Sequence, residues 1–188
     1  MPKISAESTP AEIAGIVSDA LQNAGIVATL SGGGAVSIYT DNEYESKDLD
    51  FVTAAMRDSI APVMHALGFV SSEGGGLSEY DHPAVDWYVE FVSGSLSFGE
   101  TYVSHKDCAV IDVGVGKIRI VTPTQSVMDR LAATVNWKDM QSWEQAVQVA
   151  VRQEIDWQDL EEWFRNEGEP DSEFTRFQDA VARARGPI

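Results

Sequence analysis

"LSGGGAVSIYTDNEYESKDLDFV", Leu30 to Val52, sets three glycines ahead of two aspartates one residue apart, Asp48 and Asp50. Before the glycines, "IVATLSG" reads as a short buried strand; after them, "GAVSIYTD" reads as the start of a helix. Glycines at such a junction let backbone N–H groups approach a phosphate, helped by the positive end of the helix. "KDLDFVTA" is the next strand, with Asp48 and Asp50 on one face and Leu49 and Phe51 turned to the core. Side chains at i and i+2 of a strand stand roughly 7 Å apart. Both carboxylates therefore reach one or two Mg²⁺ ions, which take oxygen ligands and keep substrate phosphates in their shell.

The flanks supply a fold around this segment. "TPAEIAGIVSDALQNAG" predicts a helix capped by Thr9, with Pro10 at its first position, Glu12 completing a capping box and Gly25 ending it. "MRDSIAPVMHALGFV" predicts a second helix closed by Gly68, and "SSEGGG" a turn. "LSEYDHP" and "AVDWYVEFV" read as strands joined by a His-Pro turn, and "CAVIDVG" and "KIRIVTP" as strands around Gly114 and Gly116. From Thr124 the pattern turns wholly helical, in four segments. The expectation is an α+β fold: a small mixed sheet flanked by helices over residues 1–122, then a C-terminal helical unit over 123–188.

Bulk properties narrow the functions. A hydrophobic share of 44% and five tryptophans describe a folded globule among 188 residues. One cysteine, Cys108, excludes an internal disulfide framework and fits a reducing cytoplasm; no apolar run reaches the membrane-spanning length, and the N-terminus does not resemble a signal peptide. The net charge of −17 disfavours extended nucleic-acid binding, which asks for a basic surface. Residues 1–92 carry 14 acids against 3 bases, and residues 93–188 carry 16 against 10.

Gly33-Gly34, thirteen residues, then Asp48-Leu49-Asp50-Phe51 resembles the signature of the polymerase-β-like nucleotidyltransferase superfamily. The resemblance implies transfer of a nucleoside monophosphate from an NTP, such as ATP, to a hydroxyl acceptor, with Mg²⁺ or Mn²⁺ held by three acids. It implies Asp48 and Asp50 as two of them and a third on a neighbouring strand. "AVDWYVEFV" offers Asp86 and Glu90 on one face, and Glu90 matches better the Val-Glu-Phe of some minimal members. Ser31, Gly33 and Gly34 are then the phosphate contacts. "TPTQSVMDRLAATVNWKDMQSWEQA" is similar to the Thr-Pro-Thr helix of AbiEii-like toxin nucleotidyltransferases, whose pattern carries Lys-Leu and later Arg-Asp. Arg130-Leu131 and Lys138-Asp139 stand there, so Arg130 and Lys138 are the implied nucleotide-binding cations, with Arg130 on the solvent side of its helix. A toxin–antitoxin role and a cognate protein partner follow as expectations; the acceptor stays open among a protein, an RNA end and a small molecule.

Other features carry less chemistry. His65, His82 and His105 show no metal-ligand spacing, Cys108 has no basic neighbour, and no Gly-Lys-Ser/Thr follows the glycines. Trp137, Trp143, Trp157 and Trp163 are expected to pack the helical unit. The alternative from another class is a non-catalytic relative whose acidic face binds a basic partner.

Overall fold

The computed structural model describes residues 3–44, 46–72 and 78–186, apart from the side chains of residues 136 and 137. The first helix, α1 (Pro10–Asn23), starts at a reciprocal cap: the Glu12 N–H donates to Thr9 Oγ1, and the Thr9 N–H donates to the Glu12 carboxylate. Its apolar stripe, Ile13, Val17 and Leu21, is fully buried. The chain then gives β1 (Ala28–Ser31), α2 (Gly32–Tyr39), β2 (Asp48–Thr53), α3 (Arg57–Ala66), β3 (Val70–Ser71), β4 (Glu79–Asp81) and β5 (Tyr88–Ser93). A short hairpin follows, β6 (Ser97–Phe98) with β7 (Thr101–Tyr102), and then β8 (Ala109–Asp112) and β9 (Lys117–Ile120).

Seven strands form one mixed sheet in the order β3–β4–β5–β2–β1–β9–β8. The pairs β1/β9 and β2/β5 run parallel, and the others run antiparallel. The acid-bearing strand β2 is thus central, with β1 on one side and β5 on the other. Leu49 and Phe51 are fully buried beneath it, beside Leu30, Ile118 and Ile120.

Every described element from Pro123 onward is helical: α4 (Pro123–Trp137), α5 (Met140–Arg152), α6 (Trp157–Asn166) and α7 (Asp171–Arg185). Thr122 caps α4 as Thr9 caps α1, exchanging bonds with Gln125. The expected aromatic packing is present for three tryptophans. Trp143 meets Phe177 edge-on with centroids 5.5 Å apart, Trp157 lies against Phe174 and Phe177, and the Trp163 indole N–H donates to the Phe98 carbonyl at 3.0 Å. The Trp137 side chain, and residues 73–76 of the turn expected at "SSEGGG", lie outside the described residues.

The structure departs from the sequence reading at several boundaries. Strand β5 begins at Tyr88, not at the Ala-Val-Asp ahead of it, because His82 folds that segment into a turn. Its Nδ1 and carbonyl accept the N–H groups of Ala84 and Val85, so Asp86 sits in an exposed bend before the strand. Cys108 ends a 3₁₀ turn (His105–Asp107) instead of beginning a strand. Strands β3, β6 and β7 are two residues each, too short for any periodic signal. Among the described residues no helix is long and apolar enough to cross a membrane.

Candidate active site

Register brings the acids together. Ser31 of β1 pairs with Asp50 of β2, Asp50 pairs with Glu90 of β5, and Glu90 pairs with Glu79 of β4. Paired residues of neighbouring strands share a face about 4.8 Å apart. Ser31, Asp50, Glu90 and Glu79 therefore form one row across four strands, with Asp48 in the adjacent row opposite Tyr88. Asp86, before β5, is outside this row.

Electrostatics mark Asp50 as the focus. Burial pushes its carboxyl up to about 7, and the charges of Asp48, Glu90 and Asp129 push the same way against the pull of Arg130. Like charges held in a partly desolvated place disfavour joint ionisation. Tyr44 and Tyr88 are raised first by burial and next by Asp48, which places both phenols at the rim of the same cluster.

The oxygen-only donor set of Asp48, Asp50 and Glu90 suits a hard divalent cation. The expected three-carboxylate grip is nevertheless not ready-made. Among the described residues no three His, Cys, Asp or Glu side chains converge, as they stand, closely enough to hold one ion. Asp48 instead accepts the Ser46 hydroxyl. Strand register fixes their backbones on one face, and only rotation of the side chains would bring the three carboxylates onto one ion.

The glycines are explained by what lies under them. Helix α2 begins at Gly32, earlier than expected, with Gly32 at φ +64, a conformation that L side chains avoid. A β-carbon there would run into the Asp50 carboxylate. At Gly34 a β-carbon would meet the Asp48 carbonyl and Leu49 Cδ2, each at 3.1 Å. The first turn of α2 is thus laid directly on the acid strand. Ser31, its N-cap, makes no capping bond of its own.

Helix α4 supplies the cation. Arg130 has a side chain only 17% exposed, not the solvent-facing one expected, because it is drawn into contact with its neighbour. Its Nη2 lies 2.7 Å from Asp129 Oδ2, and its Nη1 donates to Gln145 Oε1 at 3.4 Å. Asp129, an unremarkable helix acid by sequence, also accepts the Gly32 N–H at 3.2 Å and the Ser31 hydroxyl at 3.4 Å. Lys138 ends α4 in a left-handed conformation with an exposed side chain, and no ion pair ties it to the acids among the described residues. Strand register and the i, i+2 spacing thus align Asp48, Asp50, Glu90 and Ser31; Gly33, Gly34 and Arg130 join them, and Lys138 does not.

No protein-family model matches the chain, and no curated protein matches it. Among solved structures, a solution structure of the antibiotic-resistance factor ANT(2'')-Ia is similar at 14% identity and a TM-score of 0.47, over 76% of this chain and 87% of that one. A crystal structure of ANT(2'')-Ia in complex with adenylyl-2''-tobramycin is similar at the same 14% and 0.47, over 95% and 98%.

Proposed function

We propose that this chain is a metal-dependent nucleotidyltransferase, moving a nucleoside monophosphate from an NTP to a hydroxyl on a protein, an RNA end or a small molecule. The observation that carries the reading is the row Ser31–Asp50–Glu90, with Asp48 beside it and the first turn of α2 laid on the same strand. Phosphate donors and metal-type carboxylates meet there at neighbouring register positions.

Asp48, Asp50 and Glu90 are the residues that would hold Mg²⁺ or Mn²⁺, whose chemistry at such a site is to neutralise the triphosphate and activate the attacking hydroxyl. The chain's own groups do the rest. Backbone N–H groups of the glycine loop and the Ser31 hydroxyl bind phosphate oxygens. Glu90 takes the proton of the acceptor hydroxyl as its oxygen attacks the α-phosphorus. The bond from that phosphorus to the bridging oxygen breaks and pyrophosphate leaves, its growing charge met by Arg130. The helices after residue 122 close over the nucleotide, and Lys138 at the far end of α4 serves as a peripheral cation. An acidic surface favours a protein or small-molecule acceptor over RNA, and a toxin acting on a cellular partner is compatible with it. The rival, a non-catalytic relative whose acidic face binds a basic partner, would show no stabilisation by an NTP with Mg²⁺ or Mn²⁺.

The test is ligand-dependent stability. An NTP with Mg²⁺ or Mn²⁺ raises the melting temperature of the wild type by mass action. Asp48→Asn abolishes that rise and leaves the ligand-free protein at least as stable. An undiminished rise in the variant would remove Asp48 from the site.

A further inference from the structure

One carboxylate oxygen in this site does what a phosphate oxygen is proposed to do. Asp129 Oδ2 takes the Gly32 N–H at 3.2 Å, the Ser31 hydroxyl at 3.4 Å and Arg130 Nη2 at 2.7 Å. All three donors belong to the glycine loop or to the cation assigned to the triphosphate. Asp129 belongs to α4, 97 residues further along the chain than Gly32, so helix packing brings it there. Its side chain is 20% exposed. Among the described residues the buried Arg130 Nε atom has no hydrogen-bond partner, which leaves the guanidinium a further donor.

Two anions cannot share three donors without strong repulsion, because each added negative charge opposes the next in a partly desolvated place. Resting on the nucleotidyltransferase reading, we propose that Asp129 is an internal stand-in for a phosphate oxygen: it holds the seat formed by Ser31, Gly32 and Arg130 and must leave before a nucleotide enters. It acts as a positioning and selectivity residue. Free polyphosphate is refused, since it meets Asp129, Asp50 and Asp48 unscreened. A polyphosphate whose charge is already offset by a divalent cation can displace Asp129. Once displaced, Asp129 releases Arg130 toward the leaving pyrophosphate.

The experiment is calorimetric binding of inorganic tripolyphosphate to the full chain in EDTA, wild type against Asp129→Asn. The amide keeps the size of the carboxylate and removes its charge. The expected result is binding at least about tenfold tighter in the variant, the scale of one charge-assisted hydrogen bond returned to the ligand. Asp129→Glu, which keeps the charge, is expected to bind as weakly as the wild type. Adding Ser31→Ala or Arg130→Gln to Asp129→Asn removes the gain. Where Asp129→Asn melts too low to measure, Asp129→Ser takes its place. Equal or weaker binding in a folded neutral variant overturns the proposal and makes Asp129 a structural tether between α4 and the loop. A gain that survives loss of Ser31 and Arg130 places the anion elsewhere and overturns it too. Wild-type protein that transfers nucleotide while the neutral variant shows no gain sinks only the stand-in role. A gain in a protein that transfers nothing leaves the seat standing and sinks only the transfer reading.

Discussion

Asp50→Asn should make this protein more stable at alkaline pH, although it removes the residue at the centre of the site. The Asp50 carboxyl moves from an ordinary 3.8 in the unfolded chain to about 7 in the fold, by burial first and by Asp48 and Glu90 next. A carboxyl raised in this way holds its proton more tightly when folded. Its contribution is therefore intact below about pH 4, declines as pH climbs, and has become a penalty above pH 7. At 1.36 kcal/mol per unit, the ceiling on that penalty is about 4 kcal/mol. Solvent reaching a half-buried carboxylate brings the expected value down to about 1–2 kcal/mol. The assay is urea unfolding of wild type and variant in EDTA at pH 5, 6, 7 and 8. His82 and His105 are depressed by burial and pull in the opposite direction over part of this range. Both proteins carry them, so the difference between the two curves isolates Asp50. That difference should widen in favour of Asn from pH 5 to pH 8. A difference that is flat, or that turns against Asn at pH 8, would refute the electrostatic account of this site.

Three further outcomes follow from the same geometry. Glu90→Gln should lower turnover by about 10²-fold, the usual scale for a general base, whereas Asp86→Asn, in its exposed bend, should leave steady-state rates nearly unchanged. Arg130→Ala should cost about 10²-fold in turnover, with partial recovery in Arg130→Lys, whose charge stays but whose fork is lost. Thermal melts should show the alanine variant destabilised as well, because Asp129 loses its ion-pair partner in a half-buried place. Gly32→Ala should destabilise the fold by about 1–3 kcal/mol, from a positive φ alone, with the clash on Asp50 added; circular-dichroism melts measure it.

The legible part of this site was the part written locally. Asp48-Leu49-Asp50-Phe51 alternates in and out of the core, so periodicity alone fixes its strand and its polar face. The cap at Thr9 is likewise spelled out within four residues. Cross-strand register is not local: nothing in "LSEYDHP" says that Glu79 will stand opposite Glu90. Asp129 was harder still, since its role depends on how α4 rotates against the β1–α2 junction. A helix acid beside an arginine reads as solvated surface until packing supplies Gly32 as a third partner. The glycines were read for ligand approach, yet Gly32 and Gly34 are also required by contact with β2 beneath them.

Transfer itself is measured most directly with two isotopic labels on one substrate. Each NTP, labelled in turn at the α- and γ-phosphate, is incubated with the protein, Mg²⁺ or Mn²⁺, and a lysate separated into protein, RNA and small-molecule fractions. The account predicts that α-label appears on one acceptor fraction, that γ-label leaves as pyrophosphate, and that Asp48→Asn and Asp50→Asn transfer neither. Label arriving from the γ-position, or no α-label on any fraction with any NTP, would contradict it.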